Sequence, residues 1–379
     1  MVISVPNMTD KIKRETFLKL LQYGDTVKTD EQIVQEFIKE RLQYIPKQKL
    51  YKYRRCSAKN FKSLEENCIW MAPATEFYDT FDCTVNIDFK RNKKEIIAWL
   101  KNNYSMLSFD LAKGFCEQHG VEMRYTHEDM VEYLETCLDK NGDVIESKEA
   151  EFLRRFATQE ELDKMEQTLS TLKVVREKFM QHEDGMAQII AEAIDQMRTR
   201  FRETLLVYCM AEHHNVSSLW ENYADVYKGF CIEYSFADYA QKAFENYKNL
   251  VFLFPVTYRA KKPYFNMVPF IEGVIRQSIS HDVSWQQDPN INADLNMQLY
   301  YKTKEYNFEK EWRFAINNKA NNKQYFPFVS AIYAGKDIKP GNLRRLCSIA
   351  RKLRVPVYQQ MLNQTGNGFK YETVQEANL

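Results

Sequence analysis

The chain has 379 residues, and its 53 Lys and Arg nearly balance 52 Asp and Glu, for a formal net charge of +1. That length suffices for a sizeable core in one large domain or two, and the balanced charge supplies no global field for nucleic acid or an anionic membrane. Only 11 Gly and 10 Pro argue against a Gly-rich β architecture and long disordered linkers, and no run approaches the about 18 apolar residues of a membrane span.

In chain order, residues 9–45 read as two helices. The first carries Ile12, Phe17, Leu20 and Leu21 near one face, with Thr9 as candidate cap and Gly24 as candidate stop. The second starts at Thr29 or Asp30, spaces Ile33, Phe37 and Leu42 helically, and ends at Pro46. Residues 1–48 are therefore expected to form a helical extension that flanks the main domain. KLYKYRR then alternates as a strand with Tyr51 and Tyr53 on one face. Ser57 or Asn60 opens a short helix, Cys68 to Met71 reads as a strand, and an acidic, aromatic loop follows with Thr75, Glu76, Asp79 and Asp82. Such a loop directly after a strand is a natural place for binding groups.

Residues 89–204 read as a large helical insertion. It holds KKEIIAWLKNNY, a helix capped by Thr126 with Glu128 and Asp129 in its first turn, a unit opened by Ser147, and a stripe of Met165, Leu169, Leu172 and Val175. Strand-like text returns at Leu205 to Met210, followed by a loop through His213 and His214, a short helix over LWENYA, and the strand GFCIEYS. Residues 236–249 and 264–300 read as mostly helical, and Pro255 marks FLFPVTYRA as an edge strand. A buried strand FVSAIYAG, a helix IKPGNLRRLCSIARKL and a last strand VPVYQQ close the main domain at 358, leaving 359–379 as a tail. The expected fold is α+β: a split mixed or antiparallel sheet interrupted by a large helical insertion.

The stretch YNFEKEWRFAI, residues 306–316, concentrates the chemistry. At strand period it places Glu309, Glu311 and Arg313 on one face and Lys310, Trp312 and Phe314 on the other. Two carboxylates about 7 Å apart along a strand can share one substrate or ion, and in a partly buried cleft one of them should have a raised pKa. Arg313 either steadies them or grips an anionic group through a bidentate contact. Asp79 and Asp82 either cap their own loop or join the glutamates in a two-metal site. His213 and His214 lack metal-ligand spacing, and Cys209 lacks a specified partner for nucleophilic catalysis. The eight cysteines are scattered without a C-x-x-C pair, so reduced thiols are expected. The N-terminal stretch lacks the basic lead and apolar core of a signal peptide, which makes a cytoplasmic location the expectation. P-loop, Rossmann and G-x-S-x-G motifs are missing, which disfavours those chemistries.

Four stretches, in order, resemble the bacterial family of unknown function DUF2971: Tyr51 to Arg54; Trp70, Phe77, Asp79, Phe81 and Asp82; Trp220, Tyr223, Ala224, Gly229 and Ile232; and Glu309, Glu311, Trp312 and Arg313. The likeness covers residues 49 to 358. It departs at Tyr78-Asp79-Thr80, where the family commonly has Asn-Asp-Pro, and at Asn222, where it commonly has His. Asn222 retains hydrogen bonding but excludes proton transfer there. The layout is similar in outline to ADP-ribosyltransferase-like enzymes. That resemblance implies NAD as substrate, Tyr53 or Arg54 as the dinucleotide holder, Tyr223 as a stacking residue, Glu311 as catalytic carboxylate and Glu309 as helper of the acceptor nucleophile. It also implies a protein or nucleic-acid acceptor and a toxin or anti-phage defence role. Two other classes stay open: a metal-dependent nuclease or phosphoesterase built on Asp79, Asp82, Glu309 and Glu311, and a non-enzymatic sensor that meets a protein partner through its helical insertion. The sensor reading expects no cavity beside the charged strand.

Overall fold

The computed structural model describes residues 6–24, 29–77, 79, 81–88, 90–91, 94–95, 99, 113, 124, 126–137, 145–156, 158, 160, 183–273, 284–317, 322–363 and 368–374. Two compact units emerge, the first made of Met1–Asn86, Thr199–Pro263 and Ala293–Leu379, the second of Ile87–Arg198 and Tyr264–Asn292. The expected insertion at 89–204 thus compares with 87–198 in the second unit.

The first unit begins with helices α1 (Asp10–Tyr23) and α2 (Glu31–Leu42). Their starts are local chemistry: Thr9 Oγ1 accepts from the Ile12 N–H, and Asp30 Oδ1 accepts from the Gln32 and Ile33 N–H groups. Each such cap is worth about 1 kcal/mol. The helices pack against the main domain and bury Phe17, Leu20, Val34, Phe37 and Ile38 in its core. Phe17 stacks on Phe254 with ring centroids 4.2 Å apart, the Arg41 guanidinium covers the same ring at 3.5 Å, and the Lys13 ammonium donates to the Pro255 carbonyl at 2.8 Å.

The strands, in chain order, are β1 (Lys49–Arg54), β2 (Cys68–Trp70), β3 (Ala72–Pro73), β4 (Leu205–Ala211), β5 (Phe230–Ser235), β6 (Leu253–Pro255), β7 (Thr257–Arg259), β8 (Tyr301–Thr303), β9 (Glu311–Asn317), β10 (Lys323–Tyr325), β11 (Val329–Ala334), β12 (Val357–Leu362) and β13 (Phe369–Thr373). The main sheet runs β13-β12-β11-β5-β1-β4-β9-β6, with β3 also paired to β4. It is mixed, because β11 and β12 run parallel while β1 with β5 and β4 with β9 are antiparallel. Pro255 sits on the edge strand β6, where its missing N–H is harmless, and α1 and α2 cover that edge. Residues 359–379, expected as a tail, supply most of β12 and all of β13, which pair along their length.

Two local expectations change, at 236–249 and at 304–310. Residues 236–252 form short turns at Tyr239–Gln241, Phe244–Tyr247 and Lys248–Phe252 in place of one helix, with Phe236, Tyr247, Leu250 and Val251 buried in the core. Within 264–300 the described residues are mostly helical, as expected: 268–273, the short turn Ser284–Gln287, Pro289–Met297 and the turn Gln298–Tyr300. The 304–309 stretch is a 3₁₀ helix, not strand, and Lys310 adopts the left-handed conformation (φ 43°, ψ 56°) before β9 begins. Glu309 and Glu311 therefore do not share a strand face.

In the second unit, Thr126 caps helix His127–Thr136 in a reciprocal capping box with Asp129. Tyr133 of this helix packs edge-on against Phe152 of helix Glu146–Leu153, and Arg155 pairs with Glu132 at 2.8 Å. The expected helix over 161–179, with its Met165 stripe, lies outside the described residues, as does most of 93–104. No helix among the described residues is long and apolar enough to cross a membrane.

Candidate functional site

Antiparallel register fixes which side chains meet. Opposite residues share a sheet face, so the pairs Glu233↔Tyr51, Tyr51↔Ala211 and Ala211↔Glu311 form one row across β5, β1, β4 and β9. Cys209 and Arg313 lie opposite each other on the same face, while Trp312 and Phe314 point into the core on the other. Among the described residues, β1 meets β4 at the single pair Tyr51↔Ala211. The Lys52 ammonium reaches across where the strands part and donates to the Cys209 carbonyl at 2.6 Å.

Beside this row, within the first unit, is a cavity of about 370 Å³. Tyr51, Tyr53, Phe77, Tyr223 and Tyr306 contribute its aromatic wall, and Asp79, Asp82, Glu309, Glu311, Lys52 and Lys302 its charged groups. Tyr223 comes from helix Ser217–Tyr223, and Lys302 from the small parallel pair β7–β8, opposite Tyr258.

Lys302 organises the charges. Its ammonium donates to Glu309 Oε2 at 2.6 Å and Glu311 Oε2 at 3.2 Å, and lies 3.6 Å from Asp82 Oδ2. Arg313, with no exposed surface, donates through Nε to Glu311 Oε1 at 2.7 Å and through Nη2 to Asp82 Oδ2 at 2.9 Å. Its Nη1 is satisfied by the Leu299 carbonyl and Cys83 Sγ. The left-handed Lys310 turns the chain so that Glu309, from the 3₁₀ helix, and Glu311, from β9, converge on one ammonium. The turn is pinned by the Glu212 N–H on the Lys310 carbonyl at 3.1 Å and the Glu311 N–H on the Tyr258 hydroxyl at 2.8 Å.

The two glutamates are driven apart in acidity. Burial raises both, but at Glu311 the adjacent Arg313 and Lys302 cations outweigh it and pull the pKa below the ordinary carboxylate range. At Glu309 burial, assisted by the Glu311 charge, wins over Lys302, and the pKa is raised. The Tyr223 hydroxyl, on a ring 48% exposed, donates to Glu309 Oε1 at 3.1 Å. For Lys302 itself, burial is overcome by Glu311 and Asp82, and the ammonium stays protonated. Burial, reinforced by Arg54, lowers Lys52 to about 8.

Residues 219–314 match the family described as "Protein of unknown function (DUF2971)". The matched span carries Tyr223, Lys302, Glu309, Glu311 and Arg313. It is narrower than the stretch from 49 to 358 over which the motifs read, and leaves Tyr51, Tyr53, Asp79 and Asp82 outside. No curated protein and no solved structure matches the chain.

The sequence-derived residues separate by position. Glu309, Glu311, Tyr53 and Tyr223 line the cavity. Tyr53 contributes its ring, since its hydroxyl donates to the His213 carbonyl at 2.8 Å. Arg54 does not line it: its guanidinium lies 5.2 Å over the Tyr208 ring. Arg313 lies behind the glutamates, fully engaged with protein groups, and steadies them instead of facing a ligand. Asp79 caps its own loop by accepting from the Phe81 N–H at 2.8 Å, and Asp82 is held by Arg313. His214 stacks on Tyr333 at 4.3 Å in an aromatic cluster, and Asn222 is exposed on the helix beside Tyr223. Among the described residues no group of His, Cys, Asp and Glu is arranged to hold a metal ion, since the Lys302 ammonium stands amid the carboxylates that converge. Lys302, Lys52 and Tyr258 escaped sequence reasoning. Each is a lone residue in an aromatic or basic stretch, and Lys302 and Tyr258 meet only through the β7–β8 pairing.

Proposed function

We propose that the cavity cleaves or transfers at an N-ribosyl bond, the chemistry of NAD-consuming ADP-ribosyltransferase-like enzymes, with nicotinamide donors the first to try. The observation that carries this reading is the pair of cavity glutamates with opposed protonation tendencies. Two carboxyl groups whose surroundings drive their pKa values apart are the arrangement by which one fold supplies a proton-transfer group and a fixed anion together. In this reading Glu309 exchanges a proton with the attacking nucleophile, and Glu311, held by Arg313 and Lys302, orients the site and sets its field. Glu309 thus keeps the nucleophile-assisting role that the resemblance implies, and Glu311 that of the fixed carboxylate. The tyrosine wall accepts the planar base, with the exposed Tyr223 ring at the helix end as stacking surface. A cavity beside the charged strand counts against the non-enzymatic sensor, and an ammonium amid the carboxylates counts against the metal-dependent nuclease.

The test is release of nicotinamide from NAD and from nicotinamide riboside by purified protein, compared with Glu309→Gln. Loss of a positioned acid or base typically lowers turnover by about 10²–10⁴-fold, and a fall in that range at preserved fold is the expected result. Failure of the wild type to release nicotinamide from any donor, with or without an acceptor, sinks the reading. Growth arrest on expression, relieved by Glu309→Gln, is the expected cellular counterpart of a toxin or defence effector.

A further inference from the structure

We infer that the group entering this cavity is a cationic N-ribosyl heterocycle without a pyrophosphate: a positively charged nucleoside, not a dinucleotide. The inference rests on the N-ribosyl reading above and names its substrate class. Four carboxylates line the cavity, at Asp79, Asp82, Glu309 and Glu311, against two ammonium groups, at Lys52 and Lys302. Both ammonium groups already have acceptors, Lys52 the Cys209 carbonyl and Lys302 the two glutamates. Arg313, behind them, is saturated by Glu311, Asp82 and Leu299. Phosphate recognition calls for free Arg or Lys donors or for a helix N-terminus aimed at the anion.

Shape and wall chemistry agree with charge. A volume of about 370 Å³ lies near the small end of small-molecule sites, which run about 300–1,000 Å³, and suits a nucleoside better than an extended dinucleotide. Tyr51, Tyr53 and Tyr223 line the cavity beside Tyr306, whose ring already lies 4.7 Å from the Lys302 ammonium, and tyrosine rings attract cations. In the reaction the C1′–N bond breaks and its electron pair moves to the ring nitrogen, so the cationic heterocycle departs as a neutral base. Water forms the new C1′–O bond, and its proton passes to Glu309 and on to solvent. A cationic leaving group requires no proton, consistent with one proton-exchanging carboxyl and one clamped carboxylate.

Calorimetric titration of Glu309→Gln with nicotinamide riboside, nicotinamide mononucleotide and NAD tests the inference, alongside wild-type kcat/KM for the same three. Like charges facing each other in a binding site disfavour association, so the riboside is expected to bind at least about tenfold tighter than either phosphorylated compound. The neutral dihydronicotinamide riboside should also bind at least about tenfold weaker than the cationic form. Equal or tighter binding of NAD or of the neutral riboside overturns the inference, as does binding of none of the four. The order of wild-type kcat/KM keeps the test decisive if the variant does not fold. Cleavage with NAD preferred removes this inference and leaves the N-ribosyl reading standing, whereas the expected binding order without cleavage does the reverse.

Discussion

Glu233 and Glu311 stand at two ends of one row of side chains, separated by Tyr51 and Ala211, and are almost equally buried at 4% and 6% exposure. Their surroundings differ in kind. Glu233 is satisfied mainly by neutral donors: the Tyr51, Tyr333 and Ser330 hydroxyls at 3.2, 3.0 and 2.7 Å, plus the part-exposed Lys49 ammonium at 2.8 Å. Around it Tyr51, Tyr333, Tyr371 and His214 pack ring to ring. Glu311 is held by two buried cations, shares Lys302 with Glu309 and Arg313 with Asp82, and borders a cavity. A buried carboxylate alone therefore marks structure. What marks a candidate site is a second carboxylate of opposite tendency beside open space. Tyr51 joins the regions, with its hydroxyl on Glu233 and its side chain lining the cavity.

The largest expected difference comes from removing a cation on each side. Arg313→Met leaves Glu311 and Asp82 without their buried partner, and breaking a buried pair by deleting one member typically costs about 3–5 kcal/mol. Lys49→Met removes a pair whose lysine is 37% exposed, and such pairs are worth at most about 1 kcal/mol. Urea unfolding measures both. Similar losses for the two variants would mean that the Glu311 cluster is not held by its buried charges.

Acid–base behaviour sharpens the contrast at smaller amplitude. At Glu233, burial is outweighed by Lys49, Ser330 and Tyr333, and the pKa is lowered from 4.5. A depressed carboxyl contributes stability that is present above the unfolded pKa and is lost as pH falls through the folded value. Glu309 is raised from 4.5, so the folded state holds the proton more tightly. Its contribution is present below 4.5 and is lost as pH rises from there through the folded value. Glu233→Gln should therefore flatten the stability curve below pH 4.5, and Glu309→Gln should flatten the decline just above it. Urea midpoints across pH 3 to 7 check the signs, about 3 and 7 being simply the limits that bracket both windows. Flattening on the same side for both variants would contradict the opposed assignments.

How far the sequence anticipates this arrangement depends on the range of the interactions. Caps at Thr9, Asp30, Ser57 and Thr126 are legible because each bonds backbone two or three residues away. Pro255 announces an edge strand, and the alternation from Glu311 to Phe314 correctly separates the cavity face from the core. Period-two alternation runs smoothly through Lys310 and so extends the strand pattern to Glu309, which the fold puts in a 3₁₀ helix. The left-handed turn at Lys310 is stabilised by Glu212 and helps set the spacing, a contact about a hundred residues away in sequence, where local patterning has no reach. The resemblance leaves Tyr53 and Arg54 as alternatives, and of the two only Tyr53 lines the cavity. Lys302 lacked any spacing signal.

The smallest effects concern two strained positions, one on each side of the comparison. Val226 has φ 50° within the left-handed run Asp225–Tyr227, and Lys310 has φ 43°. Tyr227 belongs to the aromatic cluster, stacked on Trp220, and Gly335 approaches its carbonyl so closely that a Cβ there would lie 2.1 Å away. A left-handed non-glycine residue costs roughly 1–2 kcal/mol, and glycine returns about 0.5–1 kcal/mol of that as lost chain entropy. Val226→Gly and Lys310→Gly should each therefore stabilise by about 0.5–1 kcal/mol, visible as a higher urea midpoint. Their functional consequences should diverge. Val226 lies outside the contacts that place Glu309 and Glu311, so nicotinamide release should be unchanged. Lys310 is the joint between the two glutamates, and loosening it should lower release at higher stability, the trade expected of strain kept for geometry. If both variants gain stability and neither loses activity, the Lys310 conformation does not set the spacing of the glutamate pair.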